Sequence, residues 1–177
     1  MTGKSGALEY TVALSNGNQR FGADGDILIT DGPGNLIETQ ATKFSGGFDN
    51  PELSTRFTYK FSDSVLANLN LKYGEDFFFE ETPETATSLL RPRRDRLADA
   101  RERGPEYEIG GDIEFPLGPG RMKLIGLERY ERDEFESRVI DSFDDGSLPR
   151  GNRFTQTNRI GERIGRFEYG WRMFAAD

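Results

Sequence analysis

The sequence predicts an all-β protein: an antiparallel meander of long amphipathic strands with tight turns at one end and long polar loops at the other. Apolar and polar residues alternate with a period of two in several segments, which is typical of strands whose two faces meet different surroundings. Polar, glycine-containing turns separate those segments. The composition is 12% aromatic but only 34% hydrophobic, which is little material for a three-dimensional core.

The first strands are predicted near the amino terminus. Residues 8–15 alternate, because Leu8, Tyr10, Val12 and Leu14 are separated by smaller or polar residues. A hairpin follows, in which the apolar residues 27–29 and 36–37 flank the sequence Asp-Gly-Pro-Gly-Asn. Glycine and asparagine tolerate the positive φ angles of tight turns, so we expect the chain to reverse there.

Residues 52–73 give the clearest hairpin pattern in the chain. The polar turn at residues 62–64 separates two alternating runs. The apolar positions of these runs are Leu53, Thr55, Phe57, Tyr59, Phe61, Ala67, Leu69, Leu71 and Tyr73. The positions between them are almost all Glu, Ser, Arg, Thr, Asn or Lys. The hairpin is therefore predicted to have one apolar face and one polar face.

A long polar loop is predicted from about residue 75 to residue 105. Acidic residues, prolines and a run of arginines replace the alternation there. Within it, residues 89–103 could hold a short helix after Pro92, since Leu97, Ala98 and Ala100 are compatible with a helix.

This loop also contains the candidate ligand-contact residues. They are Phe77, Phe78, Phe79, Arg91, Arg93, Arg94 and Arg96. Together they could form a mouth for an anionic or aromatic ligand, because arginine binds carboxylate and phosphate groups in a bidentate manner. The alternative, which the mixed charge favours, is a solvated loop in which Asp95, Asp99 and Glu102 neutralise the arginines and the phenylalanines pack over the rim.

Three further strands and one irregular stretch are predicted in the second half. Residues 107–115 alternate, and the turn at residues 117–120 leads into a less regular return strand over residues 121–130. Residues 141–152 are predicted to be irregular, because they are rich in Asp, Gly and Pro. Alternation returns at residues 166–173.

Composition excludes several kinds of function. The net charge of −8 disfavours nucleic acid as a partner, because phosphate binding needs excess positive charge. The sequence contains no His and no Cys, which excludes zinc fingers, cysteine nucleophiles and histidine-dependent triads. The acidic clusters at residues 24–26 and 144–146 lack the spacing of a calcium loop and are better explained as turns. We therefore predict no catalytic, cofactor-binding or metal-binding residues, and no enzyme.

Alternation, aromatic enrichment and short turns opposite long loops are typical of an outer-membrane β-barrel. Residues 53–61 are about as long as the roughly 9–11 residues that a tilted strand needs to cross a bilayer. The apolar face would then meet lipid and the polar face a wet lumen. A soluble antiparallel sheet with one buried face produces the same alternation, and it remains the alternative at this point.

Two segments resemble a known family. Residues 8–20, LEYTVALSNGNQR, followed by GADG at residues 22–25, look like the first barrel strands of TonB-dependent outer-membrane receptors of proteobacteria. The sequence NRFTQTNRIGERIGRFEYGW at residues 152–171 resembles a strand pair of such receptors. No invariant motif assigns substrate-contacting residues within either segment.

The resemblance implies a plug domain inside a large barrel of roughly 22 strands. It also implies uptake of scarce nutrients, such as iron-siderophores or cobalamin, driven by the TonB energy-coupling complex. The expected location is the outer membrane of a Gram-negative bacterium, and the expected partners are its lipid, the plug domain and the remaining barrel strands. No cofactor is expected.

The chain is too short for the full barrel and shows no recognisable plug. We therefore expect residues 1–177 to form a single segment of an incomplete barrel. Two alternatives stay open: a small self-contained barrel of about eight strands with a structural or adhesive role, and a soluble β-sandwich or lipocalin-like binding protein.

Overall fold

The structure, a computed structural model, describes residues 1–171, which form one antiparallel β-sheet. The strands are β1 (Thr2–Ser5), β2 (Leu8–Thr30), β3 (Leu36–Lys60), β4 (Leu66–Ser88), β5 (Arg94–Leu117), β6 (Gly120–Phe143) and β7 (Arg150–Trp171). Their order in the sheet is their order in the chain, so the predicted all-β meander is confirmed. Arg172 and Met173, at the end of the last predicted strand, lie outside the described residues. No helix long and apolar enough to cross a membrane occurs in residues 1–171.

The strands are far longer than the alternating segments that predicted them. β2 and β4 each contain 23 residues and β3 contains 25, which corresponds to about 75–80 Å at roughly 3.3 Å per residue. We call the end with Lys60, Leu66, Leu117 and Gly120 the near end, and the opposite end the far end. The longest connection, residues 144–149, is at the far end.

The predicted turns are confirmed at both ends of the sheet. At the far end, Gly34 has a φ of 99° and its N–H donates to the carbonyl of Asp31 at 3.0 Å. At the near end, the N–H of Phe61 donates to the carbonyl of Val65 at 3.0 Å. Gly118 has a φ of 56° between β5 and β6. Positive φ costs glycine little, so these turn positions suit glycine.

The prediction of a long loop over residues 75–105 is wrong. β4 continues to Ser88 and β5 begins at Arg94, so only residues 89–93 lie between the strands. The predicted helix is also wrong, because Leu97 pairs with Pro83 and Ala98 with Thr82 in the β4–β5 ladder. The irregular stretch predicted over residues 141–152 is also shorter, because β6 continues to Phe143 and β7 starts at Arg150.

Three prolines explain why this region did not resemble strands. Pro51, Pro83 and Pro105 lie inside long strands. The pairing of β3 with β4 is interrupted at residues 43–44 and 50–51, and the pairing of β5 with β6 is interrupted at residues 104–105. Proline has no N–H to donate to a ladder. The strands therefore accommodate the prolines at positions where the ladder is interrupted.

The two faces of the sheet differ in exposure, which indicates that the sheet is curved. In β4, Leu69 and Tyr73 are 40% and 49% exposed on one face, whereas Ala86 on the other is 3% exposed. We call the more exposed face convex and the other concave. Because directly paired residues share a face, the register places odd-numbered residues of β3, β4, β5 and β7, and even-numbered residues of β2 and β6, on the convex face.

Residues 1–171 form a single layer without an internal core. Ala86 is the sole buried hydrophobic residue within this range. β2 pairs with β3 and with the short β1, and β7 pairs only with β6, so the described sheet is not closed. A β-sandwich requires two packed sheets, and this part of the chain does not form one.

Candidate functional site

An apolar band covers the convex face at the near end. Its members include Tyr10, Val12, Leu14, Leu53, Phe57, Leu69, Leu71, Ile109, Ile113 and Leu124. Leu14 is 81% exposed, Leu53 45% and Ile109 48%. Exposed apolar patches of this extent mark surfaces that bind a membrane or a partner.

Aromatic residues border the band on both sides. On the far side, Tyr73, Tyr107 and Tyr130 are direct cross-strand neighbours, and we call them the tyrosine row. The rings of Tyr107 and Tyr130 stack at 5.6 Å between centroids. On the near side lie Tyr59, Phe61, Phe115, Phe167, Tyr169 and Trp171. Tyrosine and tryptophan are enriched where a membrane meets water.

The height of the band fits a hydrocarbon layer. From Leu53 on β3 to Phe61 just beyond its end, the band together with its near aromatic border spans about 26 Å along the chain and about 20 Å after a tilt of roughly 40°. Outer-membrane barrels have apolar bands of about 25 Å. The near part of each strand is therefore long enough to span a layer of about that thickness.

Charged and polar side chains lie on the concave face behind the band. The Lys72 ammonium lies 3.0 Å from the Glu52 carboxylate and 2.9 Å from that of Glu106. Asn68 accepts from Thr58 at 2.9 Å and donates to Asp112 at 3.2 Å. Sheltered charges and exposed apolar groups are the reverse of what a soluble protein shows.

The polarity of both faces changes beyond the tyrosine row. Toward the far end, the convex face has charged residues, among them the ion pair Arg20–Asp49. The concave face there has phenylalanines, which are Phe21, Phe44, Phe48, Phe78, Phe135 and Phe154. Phe21 and Phe44 stack at 5.6 Å. This reversal is not visible in the sequence, because the face on which each residue lies is known only from the register of the strands.

The same concave region is rich in carboxylates, and the bases that reach them lie at its near border, where Lys72 contacts Glu52 and Glu106 and Arg129 contacts Glu131. Its acids are Glu52, Asp76, Glu80, Glu102, Glu106, Glu131 and Asp133. No Lys or Arg of the described chain lies on the concave face within residues 15–23, 44–52, 74–82, 98–106, 131–139 and 152–160. Burial raises the pKa of Asp76, and the negative charges of Glu106 and Glu131 raise it further.

The structure does not bring the predicted ligand-contact residues together. Phe77 and Phe79 lie on the convex face opposite Arg103 and Arg101, whereas Phe78 lies on the concave face. The arginines lie farther along: Arg91 and Arg93 in the turn between β4 and β5, and Arg94 and Arg96 on the concave face. On β5, Arg96 and Arg94 lie five and seven residues from Arg101, the partner of Phe79, which is roughly 17–23 Å along the strand.

Three of these arginines, Arg93, Arg94 and Arg96, have acidic partners within the sheet. Arg94 lies 2.6 Å from Glu84, and Arg96 donates to both oxygens of Asp141 at 2.7 and 3.1 Å. The Arg96 guanidinium lowers the pKa of the Asp141 carboxyl. Neutralisation by neighbouring acids was the expected alternative. Arg93 pairs with the predicted Asp95 at 3.3 Å, whereas Glu84 and Asp141, on β4 and β6, were not among the predicted acids.

One charged pair interrupts the apolar band at its β6–β7 side. Arg163 donates to Glu128 at 3.0 Å, and the Tyr107 hydroxyl donates to the same carboxylate at 3.4 Å. Gly126 and Gly161 lie beside the pair. The band is thus apolar across β2–β5 and less so on β6 and β7. No group of acidic residues in the described range is arranged to hold a metal ion.

Comparisons with known proteins add little to this geometry. No family model matches the chain, and no curated protein matches it. Among solved structures, the outer membrane protein AlkL, determined by solid-state NMR in DMPC lipid bilayers, is similar at 10% identity over 95% of this chain and 92% of AlkL. The TM-score is 0.15, so this similarity does not support an argument about function, which must come from the residues themselves.

Proposed function

We propose that the chain forms part of the wall of an outer-membrane β-barrel, with its convex face toward lipid and its concave face toward a wet lumen. The observation that supports this is the apolar band, which is exposed and bordered by aromatic residues while charged side chains lie on the sheltered face. Hydrocarbon solvates exposed apolar groups, and a wet lumen solvates the ion pairs.

The backbone supports the same proposal. In a bilayer every N–H and C=O must be paired inside the protein, which only helices and closed sheets achieve. Through the band region the ladders of β2–β7 are continuous, with pairs such as Leu69↔Gly111 and Leu71↔Ile109. The interruptions at Pro51 and Pro105 lie beyond the tyrosine row, where water can solvate unpaired groups.

The proposal includes an orientation. Outer-membrane barrels have short periplasmic turns and longer extracellular segments. The strands end close to the band at the near end and extend well beyond it at the far end, since β4 continues from Tyr73 to Ser88. We therefore place the turn at residues 61–65 in the periplasm and the far end outside the cell.

The open edges of β2 and β7 require further strands. Unpaired edge groups are costly in lipid and favour aggregation in water. We propose that the remaining strands of a larger barrel pair with these edges. A small self-contained barrel would instead need β2 and β7 to pair with each other, and the described sheet does not show that pairing.

The finer proposal is a segment of a TonB-dependent receptor that takes up a scarce nutrient such as an iron-siderophore. The resemblance of residues 8–25 and 152–171 is its support. Its partners would be outer-membrane lipid, the plug domain, the other barrel strands and the TonB energy-coupling complex, with no nucleic acid. The complete coding region tests it: a plug upstream and more strands downstream would support the receptor, and a stop codon soon after this segment, with no plug, would contradict it.

Trp171 provides a test of membrane contact, because it is the single tryptophan of this chain and lies in the near aromatic border. In vesicles that contain brominated lipids, we expect strong quenching of its fluorescence by bromines near the headgroups and weaker quenching by bromines at the bilayer centre. The reason is that tryptophan at a barrel border lies at the membrane–water interface.

A second tryptophan position provides the control. In the variant Trp171→Phe/Phe154→Trp, the tryptophan moves to the concave face of the far half, where we expect no quenching at any depth. A chain that stays monodisperse without detergent, or equal quenching at both positions, would contradict the proposal.

A further inference from the structure

Arginines cluster on the convex face of β5, β6 and β7, directly beyond the tyrosine row. We call this cluster the arginine patch. Its members are Arg101, Arg103, Arg132, Arg138, Arg153 and Arg159. The chain as a whole has a net charge of −8, so this positive cluster is a local exception.

The register creates like-charge neighbours within the patch. Arg132 is directly opposite Arg159, and Arg138 is directly opposite Arg153. Like charges in directly opposed positions destabilise a sheet. An anion bound between the guanidinium groups would offset their repulsion.

Neighbouring acids neutralise the patch only in part. Glu134 is shared between Arg103 and Arg132. Arg138 pairs with Asp99 at 2.9 Å, and Arg153 pairs with Glu136 at 2.6 Å. Arg101 and Arg159 make no ion pair with any residue of the described range. The patch therefore keeps excess positive charge and donors that are free to bind.

If the band lies in hydrocarbon, Arg103, Arg132 and Arg159 lie at the depth of lipid headgroups, whereas Arg138 and Arg153 lie six residues, roughly 20 Å, farther along the strands. Arg132 follows Tyr130 by two residues on β6, which is about 7 Å along the strand. A groove of about 660 Å³ lies beside it. Its lining combines Arg101, Arg103, Arg138, Thr155 and Thr157 with the carboxylates of Asp99, Glu102, Glu134 and Glu136. Within the groove the acids already occupy most of the guanidinium groups, so an anionic group entering from the membrane surface would bind at Arg101 and at the directly opposed Arg132 and Arg159.

We propose that the arginine patch binds the phosphate groups of lipid A in the outer leaflet. This inference rests on the proposed function, because it needs the band to be embedded and the far end to face outward. The planar guanidinium fork matches phosphate oxygens in a bidentate manner. The tyrosine row below the patch would lie beside the glucosamine headgroup, and the apolar band beside the acyl chains.

The test compares vesicles of phosphatidylcholine with vesicles that also contain diphosphorylated lipid A. The unaltered protein should unfold at a higher urea concentration when lipid A is present. In Arg132→Gln/Arg159→Gln the apparent affinity for lipid A should fall about tenfold or more, since charge-assisted bonds are lost. The variant Arg20→Gln/Lys43→Gln removes two charges from β2 and β3 and should keep its affinity.

The outcomes separate this inference from the proposed function. Failure to insert into phosphatidylcholine alone, with the remaining barrel strands present to pair with β2 and β7, would count against the membrane assignment itself. Insertion with no effect of lipid A, or an equal loss in both double variants, would overturn the inference while leaving the barrel intact. Equal stabilisation by free inorganic phosphate, without lipid A, would show a phosphate site that does not depend on lipid and would also overturn it.

Discussion

Leu69 and Asn70 show how sharply surroundings change from one residue to the next. Leu69 lies in the middle of the apolar band and is 40% exposed, between Phe57 and Gly111 on the neighbouring strands. Asn70 points to the other face, where it accepts from the Arg56 guanidinium at 3.0 Å. Because a strand places successive side chains on opposite faces, adjacent positions should differ in their tolerance of charge.

Leu69→Lys and Asn70→Lys measure this difference. In a bilayer, Leu69→Lys should reduce the free energy of unfolding by about 2–4 kcal/mol, the cost of lysine at the lipid face near the midplane. Asn70→Lys should cost less, about 1 kcal/mol, because the wet face solvates the new charge, although lysine loses the hydrogen bond from Arg56 and lies opposite that guanidinium. Urea unfolding of the vesicle-bound protein checks both values. Equal and small effects would indicate that the band faces water.

The sequence alone predicts the face of the sheet on which a residue lies only where apolar and polar residues alternate strictly. Leu53, Phe57 and Leu71 were assigned correctly to one apolar face, because polar residues separate them without exception. Glu128 and Arg163 could not be found in the band, since the irregular run around Leu124 and Leu127 hides which residues face outward. Only the pairing of β6 with β7 shows that these two residues form an ion pair there.

Within the strands, the boundary between the apolar band and the far half lies where the backbone pairing between neighbouring strands is interrupted. Pro51 on β3 and Pro105 on β5 occupy the row that follows the tyrosine row, and the ladder is interrupted at both. Gly104 precedes the second proline. A Cβ placed on Gly104 would overlap the carbonyl oxygen of Arg132 on β6. The two strands approach each other closely there, which only glycine permits.

Gly104→Ala should therefore destabilise the sheet by about 1–3 kcal/mol, the usual cost of an overpacked contact. Gly126→Ala is the matched control, because a Cβ at Gly126 meets nothing within 4 Å. It should be neutral or slightly stabilising, since alanine restricts the unfolded chain. Thermal unfolding in detergent compares the two. A larger loss for Gly126→Ala would contradict the close approach of β5 and β6.

The sequence predicted that strands exist but not how far they extend. The alternation of apolar and polar residues predicted the near halves of β3, β4 and β5, where one face would meet lipid and the other a wet lumen. In the far halves both faces carry charges as well as phenylalanines, so the period of two disappears. Pro83 and Pro92 then resembled loop signals, yet only Pro92 lies in a turn. Cross-strand pairing decided the fold there, and pairing is not visible in a single sequence.

At the scale of the whole sheet, charge is separated by face. The far half of the convex face has the arginine patch, and the concave face between Lys72 and Arg96 has acids and phenylalanines without a base in the described residues. This separation depends on the register of each ladder. Residues of like parity pair in β3–β4 and β4–β5, and residues of opposite parity pair in β2–β3, β5–β6 and β6–β7. A shift of one residue in any ladder would move a whole strand's side chains to the other face.

Asp76, outside the apolar band, allows a test of the acidic concave face through pH. Burial and the charges of Glu106 and Glu131 raise its pKa above the ordinary 3.8. As the pH falls through that raised value, the folded protein binds a proton before the unfolded chain does, so the free energy of unfolding should rise. Asp141 does not cancel this gain. Its pKa is lowered, so the stability that its ionised carboxylate contributes is lost only as the pH falls below the ordinary value of 3.8.

The variant Asp76→Asn should be more stable than the unaltered protein at pH 7 and should show a weaker rise between pH 7 and about 4. Asp95→Asn is the control with the opposite sign, because the Thr85 hydroxyl and Arg93 lower the pKa of Asp95. It should be less stable at pH 7 and keep the rise. The midpoints of urea unfolding across this pH range measure these differences. If Asp76→Asn is less stable than the unaltered protein at pH 7, positive charge balances the carboxylates of the concave face, and charge is not separated by face.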